Sequence, residues 1–346
     1  EEGEFNREGL GVKGELTLSL LPVRPLLGIY PLAPETRNSV HAVLGEFVNA
    51  QISWEIAQQA GPITIDVHSS NFQARLPLQL HQHALYLRDY VDAQISLTQA
   101  VNETFLKDIN PLFITGAYSE HPIRVFIDPD GFVLPLNPYS IERVSIGKAI
   151  IDIGKLRLRN GGQVQSLMEF LNAKEITPDG LMEAWFTPLF LSLHEGVASY
   201  KRFDVLLGGN IQIALWGSIN LVNDGVNMTL AISPTTLYER FHITGLTKKD
   251  MFQVQMRGTT SKLSMDWSSA YTRIALIVAR NAAGQIGNIV GGIIEQLIPL
   301  GDEPVPPPTT SPFPWESLYP SEPGMIPKEA SSREGKSRRW IDRLLP

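Results

Sequence analysis

The sequence predicts a mainly β fold of the β-rich α+β class. The expected form is a long curved antiparallel or repetitive β-sheet forming a groove, punctuated by short helices, with a long C-terminal helix. Three observations carry this. Apolar and polar residues alternate with period two over most of the chain, as in strands with one apolar face. Two such runs, 210–221 and 226–232, flank Asn223-Asp224-Gly225, residues that tolerate the positive φ of a tight hairpin. Helical spacing is confined to short stretches between strands until one much longer pattern at 268–298.

In chain order, residues 1–14 read as a flexible lead-in, 15–265 as the repetitive sheet domain, 266–300 as an amphipathic helix and 301–346 as a Pro-rich disordered tail with a basic end. Within the sheet domain, Leu16, Leu18 and Leu20 alternate with Glu15, Thr17 and Ser19, and Ile63, Ile65 and Val67 with Thr64, Asp66 and His68. Ala74, Leu76, Leu78 and Leu80 share a face, as do Ile123, Val125 and Ile127. Short helices are expected at 36–46, 100–109, 160–172 and 234–241. The run Val48-Asn49-Ala50-Gln51-Ile52-Ser53 returns as Val91-Asp92-Ala93-Gln94-Ile95-Ser96, either by chance among alternating strands or as a mark of stacked β units. The tail places six prolines between 304 and 314, a composition with too little apolar surface to fold.

With 346 residues, 43% of them hydrophobic, the chain has material for a core. A net charge of −7 speaks against general nucleic-acid binding, which rests on Lys and Arg neutralising phosphates. The absence of cysteine removes disulfides and thiolate chemistry. No metal site or cofactor is expected, and the motif search favours a protein that is not an enzyme. Gly9, Gly11 and Gly14 match G-x-G-x-x-G but lack the preceding strand and following helix that dinucleotide binding requires. His81 and His83, two apart, would share a strand face without a nearby carboxylate. His194-Glu195 lacks the second histidine of a zinc-protease motif, and Asp128-Pro129-Asp130-Gly131 is turn chemistry. Catalytic groups converging from distant positions remain a third reading.

Residues 143–265 have a distinctive rhythm. A strand ends in Lys155-Leu156-Arg157-Leu158-Arg159, a helix carries Leu167-Met168-Glu169-Phe170-Leu171, and Thr187-Pro188-Leu189-Phe190-Leu191 leads to the turn at Glu195-Gly196. Phe203-Asp204-Val205-Leu206-Leu207-Gly208-Gly209, the strand 212–221 and Asp224-Gly225-Val226-Asn227-Met228-Thr229-Leu230 complete it. Upstream, Lys107-Asp108-Ile109-Asn110-Pro111-Leu112-Phe113 fits the same style. This pattern resembles the C-terminal region of the AsmA-like, TamB-like family of cell-envelope proteins, within the bridge-like lipid transfer superfamily. The resemblance carries no catalytic motif. It implies a curved sheet forming a groove, anchored in the inner membrane by a segment outside this chain, reaching across the periplasm of diderm bacteria and serving phospholipid transport or envelope assembly.

On that reading the lipid-contact candidates are Ile211, Ile213, Leu215, Ile219, Leu221, Val226, Met228, Leu230 and Ile232. The candidate helix face for a membrane or partner comprises Ile274, Val278, Ile286, Ile289, Ile293 and Leu297; capping the open sheet is its plainer role. The expected partners are phospholipid and, through the helix and tail, a membrane or outer-membrane protein. The rival reading is a structural or adhesive scaffold whose apolar face is packed core, with binding done by loops.

Overall fold

The structure, a computed structural model, describes residues 11–29, 34–102, 117–119, 121–159, 161–173, 180–246, 250–260, 262–284, 304–309 and 313–315. The expected helix beyond residue 102, the positions Ile286, Ile289, Ile293 and Leu297, and the basic end at 333–345 lie outside the described residues. The chain divides into two units, 1–311 and 312–346. In the second, the rings of Phe313 and Trp315 stack at 4.9 Å.

The fold is mainly β, as the alternation predicts: one antiparallel sheet of 18 strands among the described residues. Strand β1 (Gly11–Pro22) pairs with β2 (Phe47–Ala57), the two joined through helices α1 (Val23–Ile29) and α2 (Pro34–Leu44). Tight turns lead to β3 (Ala60–Ser69) and β4 (Phe72–His81). The next layers are interrupted strands. Strands β5 (Ala84–Leu87) and β6 (Val91–Ile95) both lie against β4. Helix α3 (Gln99–Val101) follows, then β7 (Ala117–Tyr118), β8 (Ile123–Ile127) and β9 (Leu134–Pro135), of which β8 pairs with β6 and β9 with β5.

Strands β10 (Ile146–Asp152) and β11 (Lys155–Arg159) continue the ladder against β8 and β7, and themselves receive β13 (Leu189–His194) and β12 (Leu181–Phe186). Both layers break at the same level, at Ile153-Gly154 and Thr187-Pro188. Pro188 has no N–H to give the ladder. Thr187 bridges the break: its Oγ1 accepts the Asp204 amide at 2.9 Å. Strand β14 (Val197–Leu207) runs unbroken past both, and β15 (Ile211–Asn220), β16 (Gly225–Ile232), β17 (Phe252–Thr259) and β18 (Leu263–Met265) follow as a meander. Strand β1 pairs only with β2 and β18 only with β17 among the described residues, so the sheet is open.

Several expectations need correction. The first strand starts at Gly11, inside the stretch read as lead-in, and Gly11 and Gly14 are strand residues. Leu20 leaves the face of Leu16 and Leu18 because a bulge between Leu18 and Leu21 rotates it outward; it has φ 52 and is 70% exposed. His81 and His83 do not share a strand face, since the chain turns between His81 and its partner Ala84. The repeated hexapeptides lie in β2 and β6, with Ala50 and Ala93 in one cross-strand row through Val67 and Ala74. They are part of a meander and not a stacked unit.

The apolar face is covered very unevenly. Over β10–β18 it is a dense core. Helix α4 (Gly162–Phe170) lays Val164, Leu167 and Met168 onto it, the three- and four-residue spacing that puts apolar groups on one helix side. Helix α5 (Pro234–Phe241) begins with Ser233 as its cap, the hydroxyl accepting the Thr236 amide at 3.2 Å, with Pro234 in the first turn, and stops at His242 in the left-handed region. Helix α6 (Trp267–Gly284) adds Ala270 and Ile274. Phe170 joins the three helices: its ring lies 5.8 Å from Phe241, 5.1 Å from Trp267 and 4.9 Å from Tyr271.

Over β2–β6 the same face carries only a small cluster, Ala74, Leu78, Leu87, Val91 and Ala93, flanked by half-buried Ile63, Ile65 and Leu76. Among the described residues no helix contributes to that cluster.

The Pro-rich segment also differs from expectation. Residues 304–309 form neither helix nor strand, as the prolines require, yet they are held to the sheet by hydrogen bonds from Gln253, Arg202 and Thr309.

Candidate functional site

The structure brings the lipid-contact candidates together, but as core. Ile211, Ile213, Leu215, Ile219, Leu230 and Ile232 are fully buried, Val226 and Met228 nearly so, and Leu221 packs partly buried beside them. Cross-strand register explains the density: Val205, Ile213 and Ile232 form one row, and Leu215 meets Leu230 in another. Here the apolar strand face is the covered kind, sealed by α4, α5 and the start of α6. These residues therefore do not line an open groove. On α6, Ile274 is buried against the core while Val278 is 36% exposed, so the first half of that helix packs on the apolar face. No helix among the described residues is long and apolar enough to cross a membrane.

The open apolar surface lies at the other end of the sheet. Leu18, Ile52, Trp54, Ile56, Ile63, Ile65, Val67, Leu76 and Leu80 are all only half-buried. Register places them side by side: Leu16 opposite Ile52, Ile52 opposite Ile65, Ile65 opposite Leu76. At the margin, Val12 and Leu16 of β1 are 57% and 43% exposed. Single exposed leucines are ordinary, but a contiguous apolar field several strands wide marks a contact surface. Val125 packs against both clusters, so this field and the sealed core are one continuous face.

The opposite face of the same strands is polar and forms a depression of about 510 Å³. One wall is Thr17, Gln51, Asp66, Arg75 and Asp92, the other Ser19, Asn49, His68, Gln73 and Gln94; backbone of Leu18, Ala50, Val67 and Ala74 forms the floor. Charges alternate across it. Arg75 Nε lies 3.7 Å from Asp66, and Arg124 Nη2 lies 2.7 Å from Asp92. Exposed pairs of this kind contribute little stability, so this wall keeps the outer face wetted and sets strand register more than it holds the fold.

Arg24, His41 and Glu46 meet at the surface, with Arg24 Nε 3.1 Å from His41 Nε2 and His41 Nε2 3.6 Å from Glu46. No group of three metal-binding side chains occurs among the described residues. His194 Nδ1 lies 3.0 Å from Ser145 Oγ, and Glu195-Gly196 is a hairpin turn with both φ positive. The Asp128 carboxylate accepts the Asp130 amide at 3.0 Å, and Phe132 N–H meets the Pro129 carbonyl at 3.2 Å, which makes 128–132 a turn. Burial pushes the Tyr200 phenol up.

Asp152, at the end of β10, has its carboxyl raised by burial, partly offset by Arg124 and the Gly154 amide. A raised native value means the folded state holds its proton more tightly than the unfolded chain. The group's contribution is then favourable at low pH and is lost as pH rises through the native value. Asp152→Asn is therefore expected to raise the thermal midpoint at pH 7, with the gap to the wild type closing as pH falls towards the ordinary aspartate range. Melts at several pH values check this; a gap independent of pH would refute it.

Sequence reasoning missed one polar constellation. Arg202 and Asp204 form an ion pair with Nη2–Oδ1 at 2.7 Å, and Asp204 is fully buried on the face opposite the core. The available signal was two polar residues, Asp204 and Gln253, in strands where the chain spends small alanines between them. No family model, curated protein or solved structure matches this chain.

Proposed function

We propose that this chain is a non-catalytic cell-envelope segment that shelters phospholipid acyl chains against the uncovered apolar face of β1–β6. The observation that supports this is the uneven cover: one continuous apolar face is sealed by helices over β10–β18, while among the described residues no helix joins its β2–β6 cluster. A face left open in this way binds methylene chains at about 0.8 kcal/mol per buried CH₂. The AsmA-like rhythm adds phospholipid as the cargo and the periplasm as the place, with transport between inner and outer membranes or envelope assembly as the purpose. The contact residues move with the open face, from Ile213 and Leu230 to Ile52, Ile65 and Leu76.

Native mass spectrometry of the purified chain, followed by organic extraction, tests this. Phospholipid is expected to co-purify and to fall at least tenfold in Ile65→Asp while the melting transition persists. Folded wild-type protein free of lipid would sink the proposal. It would favour the second reading, a packed β scaffold, which the dense β10–β18 core supports.

A further inference from the structure

The outer face of β14–β17 is exposed where it carries Ser199, Lys201, Asn227 and Gln255, as a solvated sheet face should be. One cross-strand row is buried along its whole length. Asp204 stands opposite Ala214, Ala214 opposite Ala231 and Ala231 opposite Gln253. The first three are 0% exposed and Gln253 is 5% exposed. The row is a shallow channel whose alanine floor packs with Met251 and Trp216, with a polar group at each end, and Pro304–Thr309 engages both ends.

The contacts match what polyproline offers. A proline has a carbonyl acceptor but no N–H, and its three-fold helix leaves every carbonyl unpaired. The channel presents donors to those carbonyls: Gln253 Nε2 donates to Pro304 O at 2.7 Å, and Arg202 Nη1 donates to Pro307 O at 3.1 Å. Those two acceptors are three residues apart, one turn of the polyproline helix. At the far end the Thr309 hydroxyl donates to Asp204 Oδ2 at 2.7 Å. Gln253 Oε1 has no partner among the described residues, and Pro304, the residue its amide engages, has no N–H to offer it.

Length agrees as well. Five polyproline steps of about 3.1 Å span roughly 15 Å, and three gaps between four strands of about 4.8 Å span roughly 14 Å. The segment lies lightly on the surface: Pro306, Pro307 and Thr309 are half-buried, while Pro304, Val305 and Pro308 remain exposed. A buried Arg202–Asp204 pair is a poor source of stability but a good source of specificity.

We propose that the Asp204–Ala214–Ala231–Gln253 row with Arg202 is a recognition site for proline-rich peptides, filled in this chain by its own residues 304–309 as a displaceable latch. Tethering sets the local concentration of that segment on the order of millimolar, so an identical peptide in trans competes poorly until the tether is weakened.

Fluorescence anisotropy with a labelled Pro-Val-Pro-Pro-Pro-Thr peptide tests this on the full chain. A loosened-latch chain carrying Pro307→Ala and Thr309→Val is expected to bind the peptide saturably, at least tenfold more tightly than the wild type does. Adding Gln253→Ala, or separately Arg202→Lys, to that chain is expected to weaken binding at least tenfold with an unchanged circular dichroism spectrum. Arg202→Lys keeps the charge pair and removes the fork, so its effect separates recognition from folding. Absence of saturable binding to a folded loosened-latch chain would overturn the proposal, as would equal affinity for the wild-type and loosened chains.

Discussion

Ile213→Asp is expected to abolish the cooperative unfolding transition of this protein, leaving a chain that is unfolded or aggregated at 25 °C. Ile213 is 0% exposed and sits in the middle of β15, between Val205 and Ile232 in neighbouring strands. Its side chain points into the core that Leu167 and Met168 of α4 close from above. Aspartate there loses a buried aliphatic group, worth about 2–5 kcal/mol by truncation alone. It also places a carboxyl between the aliphatic side chains of Val205 and Ile232, and an unpaired buried polar group costs about a further 1–3 kcal/mol. Domains have only about 5–15 kcal/mol to lose. Ile65→Asp is the control: that position is half-buried on the open field, and the fold should survive it. Thermal melts followed by circular dichroism distinguish the two, and a cooperative transition for Ile213→Asp near the wild-type midpoint would show that the β15 face is not packed core.

Phe170→Ala is expected to cost about 3–5 kcal/mol, the range for deleting a buried phenylalanine. The ring is 2% exposed and stacks 5.9 Å from Phe252 of β17, besides its edge and tilted contacts to Phe241, Trp267 and Tyr271. It thus touches α5, α6 and the sheet together, and aromatic pairs each add about 0.5–1.5 kcal/mol beyond area. Phe170→Leu, which keeps most of the volume, should cost less than half as much. Urea denaturation gives both numbers; a loss below about 1 kcal/mol for the alanine variant would mean the helices are held independently of this ring.

Strand identity and hairpin position were legible because alternation is a local signal. The turn at Asn223-Asp224-Gly225 fulfils its chemistry, with Asp224 at φ 58 and the Gly225 amide on Asn223 Oδ1 at 3.0 Å. The turn between β2 and β3 was not legible in the same way. Gln58 and Gln59 both take positive φ there without being Asn, Asp or Gly, because the closing strands demand it. At Gly61, just after that turn, a Cβ would overlap the carbonyl oxygen of Glu55, so the close crossing of two backbones selects glycine. The helix over 162–170 followed its apolar spacing, and a helix over 234–241 forms where the sequence places one.

By itself the sequence determined that one face of nearly every strand is apolar, that the chain turns tightly at 223–225 and 128–131, and that the prolines of 304–308 stay out of helix and strand. These follow from period, turn residues and missing N–H groups, all properties of neighbouring residues. Only the tertiary structure decided which part of the apolar face is covered. Ile213 and Ile65 carry the same side chain in the same alternation, and they differ because α4, α5 and α6 return over one stretch of the sheet. It also decided that Pro304–Thr309 is held to the sheet, since Asp204 and Gln253 become ends of one channel only when four strands pair in register. Cover and register depend on contacts between residues far apart in the chain, and a side chain's own alternation carries no record of what will lie above it.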